Sequence, residues 1–310
     1  MHHGGRATRQ LRTRVRGALV ALLALLAISV GVQAGPAAAV PASEDLVIHD
    51  PVLPVASPQG YLLAGADGGV FAFGRTFRGS AAGLHLRAPI VGIASTVGDG
   101  GYWLVAADGG VFAFGDAHFF GSLGGVALNG SIVGIAATPN GGGYWLLGSD
   151  GGVFAFGNAR FFGSLSGAHV LAPLVDIAST GDGGGYRMLT ESGEVFAFGD
   201  ALAPGDPPAV QAPVGQYVAM TRLLISDRGV VLATRDGRLT AFDAGAATCA
   251  PFPGSPPPMN APVVGITAAS AGCAQWMAGS DGGVFSFGGP PFLGSAATFG
   301  LISPIVGIAS

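Results

Sequence analysis

Lysine is absent from this chain, cysteine occurs twice, and charged residues fill only 10% of its 310 positions. With no Lys, every fixed cation is an Arg. Five of the 14 Arg (Arg6, Arg9, Arg12, Arg14 and Arg16) crowd the start. The remainder sets nine Arg against 18 acids, a net charge of −9. An acidic body without basic clusters argues against nucleic acid and anionic membrane surfaces as partners. Chemistry-bearing motifs are missing too. There is no Gly-x-Ser-x-Gly, no His-x-x-x-His and no Cys-x-x-Cys, and His49, His85, His118 and His169 are scattered. No catalytic residue, metal or cofactor is therefore expected. No apolar run outlasts the 16 residues of Gly17–Val32, which is short for a membrane span.

That run follows the five Arg and precedes the small-residue stretch "QAGPAAAVPAS". The order is that of a secretory signal peptide over residues 1–39, in a helical hydrophobic segment, with cleavage after Ala34 or Ala39. An uncleaved anchor is the alternative. No paired arginines precede the run, which argues against a twin-arginine signal. Residues 40–51 read as a linker, and the product is expected outside the cell, secreted or held at the cell wall. Such a compartment permits disulfides. Cys249 and Cys273 would close about 25 residues of chain around a Pro-rich connection, a bridge worth roughly 3–4 kcal/mol in the chain-entropy picture.

What the chain has in excess is Gly (55) and Phe (19). Both belong to a repeat. "DGGVFAFG" stands at Asp67–Gly74, Asp108–Gly115 and Asp150–Gly157, and returns as "DGGVFSFG" at Asp281–Gly288. The units around it open at Gly60, Gly101, Gly143 and Gly185, spaced 41 or 42 residues apart. Worn copies lie at Val230–Asp243 and Ala274–Gly288. A period near forty is that of a propeller blade. Each unit reads as four strands: A ("PIVGIAS", Pro89–Ser95), B (Tyr102–Ala106), C (Val111–Phe114) and D ("FFGSL", Phe119–Leu123 and Phe161–Leu165). Asp-Gly-Gly makes a tight two-residue turn between B and C. Val111 and Ala113 point to one face of strand C, Phe112 and Phe114 to the other. A sheet apolar on both faces must be covered on both.

Residues 52–310 are therefore expected to form an all-β propeller of six four-stranded blades. The closing segment "SPIVGIAS" at Ser303–Ser310 is a strand A that can pair into the first blade, whose own strand A, Val52–Ser57, is weakened by Pro54. A seventh, truncated blade is the alternative. The repeat "GYWLVAADGGVFAFGDAHFFGSLGG…IVGIAATPNGGGYWLL" resembles tandem repeats of secreted proteins of high-GC bacteria. The resemblance covers nearly all of Gly60–Ser310. It implies propeller blades, in some members joined to a cell-wall or hydrolase domain, with no activity assigned to the repeat itself. The fifth copy also has a distant likeness to repeats of pyrroloquinoline-quinone-type propellers, without matching cofactor residues.

In a four-stranded meander the A–B and C–D turns open on one rim. Asp99, Asn140 and Asp182 occupy A–B turns. Asp116, Asn158 and Asp200 occupy C–D turns. One rim should carry a double arc of oxygens able to meet a sugar, a basic peptide or a cation such as Ca²⁺, although Asp and Asn also favour turns for local backbone reasons. Asp67, Asp108, Asp150 and Asp281 would decorate the other rim. Trp103, Trp145 and Trp276 share one place in strand B and are expected in the core between blades. The chain reads as a monomeric, non-catalytic binding or scaffolding module whose partner is a cell-wall glycan or secreted protein. A hydrolase using carboxylates of the acidic rim, and a structural spacer, are the alternatives.

Overall fold

The repeat becomes eighteen short strands in a computed structural model that describes residues 60–202, 216–224, 229–242, 258–269 and 274–310. The signal segment, the 40–51 linker, Val52–Ser57, Cys249 and Cys273 lie outside the described residues. In chain order the strands are β1 Tyr61–Gly65, β2 Val70–Phe73, β3 Ile90–Ser95, β4 Gly101–Ala106, β5 Val111–Gly115, β6 Ile132–Ala137, β7 Gly143–Gly148, β8 Val153–Gly157 and β9 Leu174–Ser179. Then follow β10 Gly185–Thr190, β11 Val195–Gly199, β12 Tyr217–Arg222, β13 Val230–Thr234, β14 Leu239–Phe242, β15 Val263–Ala268, β16 Gln275–Gly279, β17 Val284–Phe287 and β18 Ile305–Ala309.

They pair into six antiparallel sheets of three, and none of the six closes on itself. Sheet 1 is β18-β1-β2. Sheets 2 to 6 each take three consecutive strands, from β3-β4-β5 to β15-β16-β17. β18 supplies the inner strand of sheet 1, with Leu62 opposite Ala309 and Leu63 opposite Ile308. The first strands β3, β6, β9, β12, β15 and β18 each lie against the next, and β18 lies against β3.

The core divides in the same way. Six apolar clusters occur, and each sits between two consecutive sheets. Strand β4 shows why. Tyr102 and Leu104 enter the cluster shared with sheet 1, while Trp103 and Val105 enter the one shared with sheet 3. All four are buried. Alternation along a strand sends neighbours to opposite faces, so two apolar faces demand two neighbouring sheets. Each such side chain contributes about 1.5–3 kcal/mol. The tryptophans are core between sheets, as expected, with the Trp103 ring 5.6 Å from that of Tyr144.

Two expectations are corrected. Of the paired turn glycines only the first takes a left-handed conformation, with φ 80° at Gly109. Gly109 donates its N–H to Ala106, and Ala106 donates to Gly110. The loop is thus a turn followed by a left-handed residue, one residue longer than the two-residue form. Asp108 accepts the Gly110 N–H at 3.0 Å and serves the turn itself. The same bond recurs at Asp67, Asp150 and Asp281.

The second correction concerns strand D. Phe119–Leu123 and Phe161–Leu165 form no strand and join no sheet. The Leu123 and Leu165 N–H groups reach the hairpin carbonyls of Gly109 and Gly151, and other backbone groups bond side chains. Trp103 Nε1 donates to His118 O at 2.8 Å from within the same repeat. From the next sheet, the Tyr144 hydroxyl accepts the Phe120 N–H at 3.2 Å and donates to Gly121 O at 2.5 Å. Tyr102 and Tyr186 make the same pair of bonds to residues 78–79 and 162–163. Tyr61 makes them to Leu293 and Gly294. The segment is clamped between sheets by indole and phenol groups and forms no strand ladder.

Candidate functional site

The turns that follow the first and third strands of a sheet do come together, but sheet by sheet. In sheet 3, Thr138 Oγ1 lies 2.9 Å from Asn140 Oδ1 and 3.1 Å from Asn158 Oδ1, and Asn158 Nδ2 donates to Asn140 Oδ1 at 3.0 Å. In sheet 4, Thr180 Oγ1 lies 2.9 Å from Asp182 Oδ1 and 3.3 Å from Asp200 Oδ1. The geometry repeats with one difference. The amide pair contains its own N–H donor, whereas two carboxylates need a proton between them. The Gly184 N–H, aided by Thr180, holds Asp182 below the usual carboxylate range. Burial, and then Asp182 itself, push Asp200 above it. The two carboxylates thus differ in proton affinity.

Asp99 breaks the expected series. Its φ is 64°, the only left-handed non-glycine among the described residues. The positions it matches are Gly141 (φ 69°) and Gly183 (φ 76°), not Asn140 and Asp182. Gly98 takes the Asn140 place, one residue earlier. Asp99 therefore points away from Asp116, which accepts from Thr96 Oγ1 at 2.7 Å. Asp99 Oδ1 instead lies 2.9 Å from Nη2 of Arg75, a guanidinium only 1% exposed. The N–H directions do not line up with Asp99, so the contact is an ion pair without a hydrogen bond. Arg75 Nη1 donates to Ser95 Oγ at 2.8 Å. The six predicted residues thus form two local pairs, Asn140 with Asn158 and Asp182 with Asp200, while Asp99 and Asp116 are held by different partners. Among the described residues no three His, Cys, Asp or Glu side chains gather as a metal site, and no helix is long and apolar enough to cross a membrane.

Two features escaped the sequence reading. The first is a set of exposed rings. Phe77, Phe119, Phe161 and Phe292 hold one repeat position, the residue before the clamped dipeptide, in sheets 1, 2, 3 and 6. Their exposures run from 54% to 60%. In "FFGS" the second Phe packs beside Trp103 or Trp145, with centroids 6.4 Å apart, and the first faces water. The recurrence of a first Phe was visible in the repeat, but the pair read as two strand residues.

The second is a central cavity of about 150 Å³, lined by three residues from each of β3, β6, β9, β12, β15 and β18. Its lining is Val, Ile, Gly, Ala and Met but for one residue, Asp176. Asp176 stands where four inner strands have Gly92, Gly134, Gly265 and Gly307 and the fifth has Ala219. Its Oδ1 accepts the Ile177 N–H at 2.8 Å and its Oδ2 accepts the Met220 N–H of β12 at 2.7 Å. The carboxyl is part-buried at the cavity wall, and its desolvation raises it to about 7, against the pull of the two amides. The departure was visible as "LVDIAS" among "IVGIAS" repeats.

A scan of known protein families finds none that matches this chain, and no curated protein matches it. What defines the molecule is therefore its own geometry: six three-stranded, propeller-like sheets around one cavity.

Proposed function

We propose that the chain is an exported six-bladed β-propeller that works as a non-catalytic binding or scaffolding module at the cell surface or cell wall, as a monomer. The blades are three-stranded sheets, and after sheets 1, 2, 3 and 6 a clamped outer segment follows. The ring reading rests on the succession of inner strands from β3 round to β18 and back. The observation that carries the binding reading is the repeated exposed phenylalanine at 77, 119, 161 and 292. An exposed large apolar side chain is unremarkable singly, but the same one held out in four sheets is a periodic surface. It suits a repetitive partner such as a cell-wall glycan, whose sugar faces stack on aromatic rings. Asn140, Asn158, Asp182 and Asp200 offer the polar complement. The leader supports export, and Cys249 and Cys273 are proposed as a disulfide.

The test is co-sedimentation of purified protein with insoluble cell-wall glycan. Replacing Phe119 and Phe161 together by Ser should cut retention at least tenfold with an unchanged melting temperature. Equal retention would sink the reading and leave a spacer. One observation favours a second reading, a hydrolase. Asp182 and Asp200 have their proton affinities driven apart, as acid and base partners do. Asp182→Asn with Asp200→Asn would then abolish glycan cleavage while leaving sedimentation intact.

A further inference from the structure

We infer that the central cavity is a site for a single hard cation, held by the Asp176 carboxylate and by backbone carbonyl oxygens of the inner strands. Four facts lead there. Asp176 is the one charged side chain lining the cavity. The charged residues on the strands packed against β9 are Arg187 of β10 and Arg222 of β12, and neither lines it. The carboxylate is rigidly aimed, because each oxygen is already tied to a different strand. The rest of the lining offers oxygen and no nitrogen or sulfur side chain except the thioether of Met220.

The oxygen comes from the pairing pattern. Thr96 donates to Gly101 O, Thr138 to Gly143 O, Thr180 to Gly185 O, Leu223 to Gly229 O and Ala269 to Ala274 O. Antiparallel pairs alternate between bonded and unbonded rungs. Counting back from those bonds leaves the N–H and C=O of Ile93, Ile135, Ile177, Met220 and Ile266 on the free edge of the inner strands, the edge bordering the cavity. A fixed carboxylate repels an anion and already occupies two of those N–H groups. The carbonyls remain for a cation. A hard ion with all-oxygen ligands and retained waters fits such a shell, and a cavity of this size holds an ion with a few waters at about 30 Å³ each.

The rival occupant is a proton, and one experiment separates the two. Protein stripped with EDTA is melted at pH 8, where the carboxyl is largely ionised, with and without CaCl₂. Calcium at ten times its Kd should raise the midpoint by about 3–5 °C. Titrating Ca²⁺ at pH 7 in weak buffer should release protons. Both effects should vanish in Asp176→Gly, which installs the residue four other inner strands carry at this place. They should vanish in Asp176→Asn as well, which guards against a change in packing. A midpoint that follows pH alone would overturn the assignment. So would a calcium shift that survives in both variants, which would put the ion on the turns, or an equal shift with KCl at matched ionic strength. The outcome is independent of glycan retention.

Discussion

The seam between sheets 2 and 3 and the seam between sheets 4 and 5 solve one problem with different chemistry. In the former, Trp103 and Tyr144 face each other, and Tyr144 also packs on Phe120 and Phe156 with centroids 5.8 and 5.6 Å away. Such ring pairs add about 0.5–1.5 kcal/mol each beyond burial. At the same register positions in the latter seam stand Arg187 and Val230. Val230 has no hydroxyl to clamp an outer segment. The residue matching the donor Phe120 is Pro204, which has no N–H to offer. At the inner end the balance reverses: Asp176 bonds the Met220 N–H across the seam, where sheet 2 has only Gly92. One seam is fastened at its perimeter by rings, the other at its centre by a carboxylate.

The comparison can be broken at its strong end first. Trp103→Ala should cost about 3–5 kcal/mol, read by chemical denaturation. Val230→Ala should cost about 1–2 kcal/mol, since two methyl groups leave the core. Equal costs would mean that the seams share one packing. Acidity comes next. The Asp176 carboxyl is raised to about 7 in the fold, whereas it titrates near 3.8 when unfolded. The folded state therefore binds the extra proton between those values, and stability from this group is greatest at low pH and falls as pH rises towards 7. Hydrogen exchange, corrected for intrinsic rates and run without added divalent ion, should show the 4–5 seam opening more readily at pH 8 than at pH 5. The 2–3 seam should stay unchanged, and Asp176→Gly should flatten the difference. The smallest effect belongs to Tyr144→Phe. Losing the hydroxyl strands the Phe120 N–H and Gly121 O, at about 1–2 kcal/mol. Limited proteolysis should then cut near Phe119–Leu123 faster, without cutting faster near Phe161–Leu165.

Much of this architecture was legible because a period near forty repeats both the hairpin and the inner strand. The strand pattern "IVGIAS" led to β3 and β18 and to the pairing of β18 with sheet 1, and its echoes "IVGIAA", "LVDIAS" and "VVGITA" mark β6, β9 and β15. β12 was overlooked because "YVAMTR" lacks the Gly-Ile signature, though it keeps the alternation. The outer strand failed for a different reason. "FFGSL" has strand composition, yet its partners are a phenol and an indole from elsewhere in the chain, and local pattern carries no information on that. Asp99 was misaligned by one residue because neighbouring glycines conceal which of them is left-handed. Asp176 is hidden in the sequence by the many turn carboxylates, where Asp is ordinary, although in the strand interior it replaces Gly.

Sheet 1 draws its inner strand from residues 305–309, and Tyr61 bonds Gly294 across a sequence separation of 233. During synthesis the β1–β2 hairpin thus lacks its partner strand and the cover of one oily side until residues 274–309 have emerged. Closing so long a loop is entropically slow. The seam that joins residues 61–65 to 305–309 cannot zip before both are made, and a nascent molecule halted before that moment would present a sticky, unpaired strand to its neighbours.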